Sequence, residues 1–132
     1  MVQKFELLYP NKFDAHILMS DLVKQAKVRI IIIDNYVDDT VLLMLSKRRV
    51  GVSAVIYTKG ISEQLKVDIM KHDSQYAPID VMPFNKSHDR FLMIDDAVYH
   101  IGASLKDLGK RWFAFTRMND LSAAEIIAKT KI

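Results

Sequence analysis

The sequence predicts a single α/β domain: a mixed, mostly parallel sheet flanked by helices on both faces, with an antiparallel hairpin in its second half. Three observations carry this. The first half alternates helical and strand patterns, which implies parallel strands joined by right-handed crossovers. Residues 28–33 read Val-Arg-Ile-Ile-Ile-Ile, a β-branched run suited to a strand buried on both faces. Asp95-Asp96-Ala97 separates two short apolar runs, which is the pattern of a hairpin turn. The chain has 132 residues, enough for one domain with a real core and too few for a comfortable pair.

Each element has its own signal. Residues 14–27 predict a helix, with Asp14 as N-cap and Ile17, Leu18, Leu22, Val23 and Ala26 at three-to-four spacing. The strand over 28–33 ends at Asp34-Asn35-Tyr36. Strand ends at that edge line crevices in open α/β sheets, so Tyr36 is a candidate flank of a site. Asp38 and Asp39 suit the positive end of a second helix. Its apolar face is Val41, Leu42 and Leu45, Lys47 to Arg49 suit its negative end, and Gly51 stops it. A second strand follows over 52–57. Ser62 then caps a third helix reaching to about Lys71. Strands at 79–82, 88–94 and 98–101 come next, the last two forming the hairpin, and Gly102 breaks the second of them. Residues 112–115 predict a last strand, with Trp112, Phe113 and Phe115 in the core. Ser122 and Glu125 have the capping-box spacing of a terminal helix. No linker, repeat or low-complexity tract divides residues 1–132.

Composition removes several classes of function. There is no cysteine, so a disulfide scaffold, a thiol nucleophile and a thiolate metal site are excluded. No convergent set of three histidine or carboxylate ligands is evident, so neither a metal nor another cofactor is expected. The longest apolar run is far shorter than a membrane span, and the first residues lack the apolar stretch of an export signal. These features point to a cytoplasmic protein without a membrane partner. Net charge is +3 with a pI near 9.1. The excess leans to one segment: residues 86–117 carry six basic and four acidic side chains, against 11 and 10 over residues 1–85.

That segment holds the sharpest motif, His88-Asp89-Arg90-Phe91-Leu92-Met93-Ile94-Asp95. On a strand, residues two apart face one side, so His88 and Arg90 are expected to stand together. Imidazole can attack phosphorus or move a proton near neutral pH, and a guanidinium can grip phosphate oxygens with two prongs. Asp95 has the opposite parity and reads as a turn residue bonding backbone. His100 lies one strand over and reads as structural or supporting.

His88-x-Arg90-x-x-x-x-Asp95 resembles the phospholipase D signature, histidine-x-lysine-x4-aspartate, with arginine at the lysine position. The family follows this with glycine-serine-x-asparagine, and here Gly102-Ala103-Ser104-Leu105 stands at that spacing. The glycine matches, the serine is one place late, and leucine replaces the asparagine. A narrower resemblance is to the phospholipase D-like domain at the C-terminus of bacterial, mobile-element DNA-binding proteins with a phage antirepressor-like N-terminal domain. It rests on residues 33–38, 87–91 and 99–110. It implies a domain excised from a longer protein that carries a further, N-terminal DNA-binding domain.

The resemblance implies metal-independent phosphodiester chemistry through a phosphohistidine. His88 would be nucleophile or acid, Arg90 the phosphate clamp, and Ser104 a supporting phosphate donor. Asp95, Gly102, His100 and Tyr36 would have supporting roles. The mechanism uses two histidines and this chain has one signature, so a C₂ homodimer is expected. The missing asparagine, and the absence of an acidic residue between Lys110 and Phe115, weigh against catalysis. The reading is a homodimeric phosphodiester-binding domain, with nucleic acid as partner. An active phosphodiesterase or nuclease and a bare oligomerisation module are the alternatives.

Overall fold

A computed structural model of the chain describes residues 4–9, 12–111 and 113–130. Trp112, expected in the last strand and the core, lies outside the described residues. Seven strands run β1 (Lys4–Tyr9), β2 (Arg29–Ile33), β3 (Ser53–Thr58), β4 (Asp80–Pro83), β5 (Arg90–Ile94), β6 (Ala97–Ile101) and β7 (Phe113–Met118). They form one sheet in the order β1-β7-β6-β5-β2-β3-β4. Helices α1 (Lys12–Gln25), α2 (Asp39–Leu45), α3 (Glu63–Asp73) and α4 (Ala123–Thr130) flank it, and a short 3-10 helix spans Leu105–Asp107.

The sheet is mixed, as expected, but it is not mostly parallel. Only β2–β3 and β3–β4 pair in parallel, and the pairs β2–β5, β5–β6, β6–β7 and β1–β7 are antiparallel. The cause lies in the connections. Parallel neighbours need a crossover, and the crossovers end with α3. After β4 the chain crosses to the other side of β2, and β5, β6 and β7 then extend the sheet as antiparallel neighbours. β1 has no counterpart in the sequence reading. Its partner, β7, stands at the other end of the chain, so no local pattern marks the pairing.

Helices cover both faces. Ala15, Met19 and Val23 of α1, Val41, Leu42 and Leu45 of α2, and Leu65 of α3 pack with Ile30, Ile32, Ile56, Leu92 and Ile101. Ala123, Ile126 and Ile127 of α4 pack on the other face with Ile31, Ile33, Met93 and Val98. This is why four successive isoleucines are all buried.

The helix ends follow local chemistry. Asp38 accepts the Thr40 N–H at 3.0 Å to start α2, and Ser62 Oγ accepts the Leu65 N–H at 3.1 Å to start α3. α2 stops at Leu45 rather than near Arg49. The Arg48 guanidinium turns back and donates to the Leu45 carbonyl at 2.9 Å, supplying a donor that further helix would have supplied, and also to the Val52 carbonyl at 3.0 Å. β5 begins at Arg90, two residues later than expected.

Candidate functional site

The register sets up the site. In β2, Ile33 pairs with Tyr57 of β3 and Phe91 of β5. One step further, Asp34 falls between Thr58 and Arg90 at the strand ends. Asp34 is fully buried. Its carboxylate accepts from Ser104 Oγ at 3.0 Å, from the Leu105 N–H at 2.7 Å and from the Tyr36 N–H at 3.0 Å. Burial raises its pKa, against the lowering effect of those hydrogen bonds and of the Arg90 charge. Thr58 is also buried, and its Oγ1 has no hydrogen-bond partner among the described residues.

Asp34 thereby pins the segment after β6. That segment enters through Gly102, whose N–H donates to the Ala114 carbonyl at 2.9 Å. A Cβ on Gly102 would lie 3.3 Å from the Ala114 backbone N and O, so the strands approach too closely there for a side chain to fit easily. Ser104 and Leu105 then bond to Asp34. Gly109 turns the chain with φ +82°, a conformation that favours glycine.

The pinned segment walls a cleft of about 580 Å³. Tyr36, Arg90, Ser104, Lys106, Lys110 and Arg111 line it. Its one solvent-facing carboxylate is Asp107, 3.0 Å from Lys106 Nζ and 2.9 Å from Lys110 Nζ. Hydrogen bonds from Lys110 and Lys106 hold Asp107 below the usual carboxylate range. The Asp107 hydrogen bond in turn raises Lys106 above the usual lysine value. Arg90 and Arg111 form no ion pair among the described residues. Two unpaired guanidiniums and two lysines around one carboxylate make a cavity suited to an anion.

Other singled-out residues lie elsewhere. His88 sits in the bend before β5, exposed, and is not among the residues lining the cleft. The strand parity that would align it with Arg90 does not reach it. His100 pairs in register with Phe91, on the face opposite Arg90. Its Nε2 is 3.4 Å from Asp89 Oδ1, and its ring meets the Phe91 ring edge-on at 5.7 Å. Asp95 occupies the β5–β6 turn at φ +53°. Its carboxylate accepts from the backbone N–H groups of Lys27 at 3.1 Å, Val28 at 2.8 Å and Arg29 at 3.1 Å. Ser104 lines the cleft, but its single hydroxyl hydrogen has three acceptors nearby, the two Asp34 oxygens and the Tyr36 carbonyl, each at 3.0 Å.

Sequence reasoning did not single out Asp34 as a side chain with a role, nor Lys106, Lys110 and Arg111 as a cluster. The basic lean of residues 86–117 was the available signal for the second group. For Asp34 the signal was a carboxylate at the end of an all-apolar strand, which has to find buried donors.

No protein-family model matches the chain, and no curated protein matches its sequence. Solved structures do. NucT from Helicobacter pylori superposes with a TM-score of 0.63 at 14% identity, covering 99% of this chain and 92% of that one. Phosphatidylserine synthase from Haemophilus influenzae Rd KW20 gives 0.64 at 15% identity, over 96% of this chain and 36% of that one. Both are proteins of the phospholipase D superfamily. The fold is phospholipase D-like. TrmBL2, an archaeal chromatin protein whose structure shows a novel mode of DNA binding, gives 0.59 at 13% identity, over 98% of this chain and 49% of that one. The chain thus spans nearly all of NucT but about half of TrmBL2 and a third of the synthase. Among its described residues, no group of three or more histidines and carboxylates could hold a metal, and no helix is long and apolar enough to cross a membrane.

Proposed function

We propose that this domain binds phosphodiesters, nucleic acid in particular, in the cleft around Arg90, and that it acts by binding rather than cleaving. One observation carries the reading. The cleft gathers Arg90, Lys106, Lys110 and Arg111, while His88 is not among its lining residues. Arg90 grips phosphate oxygens with its planar fork, and Lys106 and Lys110 add point charges around it. Asp107 holds Lys106 and Lys110, and Asp34 pins the segment that carries them. Cleavage would need an imidazole at the phosphorus, and the residues lining the cleft include Arg90 but not His88, which favours binding. The pairing of two such domains as a C₂ dimer is supported by the resemblance, in which two signatures complete one site.

The test is binding and cleavage of fluorescent single- and double-stranded DNA in EDTA, with Arg90→Ala and His88→Ala variants. The expected result is salt-sensitive binding, weakened by Arg90→Ala, without cleavage. Metal-independent cleavage lost in His88→Ala would replace this reading with a nuclease. Absence of both binding and cleavage would leave a bare oligomerisation domain.

A further inference from the structure

The cleft does not stand alone. Lys106 also lines two neighbouring concavities. One is a groove between α1, α2 and the 3-10 helix, lined by His16, Thr40, Lys47 and Lys110 among others. The other is a furrow along Asn35 to Asp38 and Lys59 to Ser62. Lys110 is shared by the cleft and the groove, and Tyr36 by the cleft and the furrow. All three therefore border Lys106. Lys47 stands in the groove and Lys59 in the furrow, both exposed and neither ion-paired among the described residues.

The carboxylates on this route are already engaged. Asp107 is held between Lys106 and Lys110. Asp38, which lines both groove and furrow, accepts the Thr40 N–H at 3.0 Å as the cap of α2. Buried Asp34 faces away from solvent. Besides Asp38, the route offers a ligand the cations Lys47, Lys59, Lys106, Lys110 and Arg90 with one aromatic beside them. Tyr36, 54% exposed, stands where cleft and furrow meet.

We propose that the three concavities form one continuous path for a single-stranded nucleic acid, with Arg90 holding the central phosphate and Lys47 and Lys59 holding backbone phosphates on either side. This rests on the cleft reading above and names the form of its ligand. A single phosphate would need only the cleft. A row of cations running past its rim fits a polymer of phosphates. The exposed tyrosine ring at the junction favours nucleic acid over inorganic polyphosphate, because an unpaired base can stack on it.

The test uses fluorescence anisotropy with a mixed-sequence single-stranded oligonucleotide of roughly 12 nucleotides, within the footprint typical of single-strand sites. A fluorescent dinucleotide serves as the short probe, and unlabelled polyphosphate as a competitor. Lys47→Ala and Lys59→Ala should each weaken the oligonucleotide and lower the slope of log affinity against log salt by about 0.7. Both should bind the dinucleotide as the parent does, and Arg90→Ala should weaken both probes. Tyr36→Leu should weaken the oligonucleotide and leave competition by polyphosphate unchanged. If Lys47→Ala and Lys59→Ala both bind the oligonucleotide like the parent while Arg90→Ala does not, the path is wrong and the cleft stands. If Arg90→Ala is also without effect, the cleft reading itself fails. Equal loss of oligonucleotide and polyphosphate in Tyr36→Leu would overturn the nucleic-acid assignment.

Discussion

Asp34 shows how one buried charge shapes the surface above it. It is fully buried, so its oxygens depend on Ser104, Leu105 and Tyr36. Asp34→Ala leaves those donors unsatisfied and should cost about 3 kcal/mol in denaturant unfolding. Its pH effect has a definite sign. Burial raises its folded pKa, so the folded state holds the proton more tightly than the unfolded chain does. Stability therefore falls as pH rises from the unfolded to the folded pKa, and the full penalty is present above the folded value. Asp34→Asn should flatten that stretch of a stability-versus-pH curve, and an unchanged curve would contradict the assignment. Asp95 has the opposite sign. Burial pushes its pKa up, but the Val28, Lys27 and Arg29 N–H groups and the Arg29 charge outweigh that and hold it below the ordinary value. Its contribution is present above the unfolded pKa and is lost as pH falls through the folded one. Asp95→Asn should remove that acid-side loss, and asparagine suits the residue's φ of +53°.

At the scale of elements, the predictions concern what fixes each end. Ser62→Ala removes the acceptor for the Leu65 N–H and should cost about 1 kcal/mol, read by thermal unfolding. Gly102→Ala should cost about 1–3 kcal/mol, because the new methyl meets Ala114 backbone rather than a side chain that can move. An unchanged melting temperature would show that β6 and β7 separate there at little cost. The elements themselves were largely legible. The isoleucine run marked β2, Asp38 and Ser62 marked two helix starts, and Asp95-Asp96-Ala97 marked the hairpin. Besides the end of α2 and the prevailing direction of the strand pairs, two things were not. β1 depends on β7, a partner no local pattern reveals. The start of β5 moved from His88 to Arg90. Face assignment by parity holds only within a strand, so the later start leaves His88 outside the stretch where it applies.

For the whole molecule, the sequence showed a basic lean but not where the charges meet. Arg90 comes from β5, and Lys106, Lys110 and Arg111 from the segment beyond β6. Only the hairpin register and the Asp34 bonds bring them to one cleft. The likeness to NucT and to the synthase fixes the fold and leaves the chemistry to these residues. Light scattering should report a particle of twice 15.2 kDa, and a monomer at high concentration would remove the paired-site arrangement. The proposed phosphate site is the Arg90 cleft. Backbone amide NMR shifts on titration with a dinucleotide test it most directly. Shifts should concentrate at Tyr36, Arg90 and residues 103–111 and be absent in Arg90→Ala. Shifts confined to the α4 face, or shifts that persist unchanged in Arg90→Ala, would contradict it.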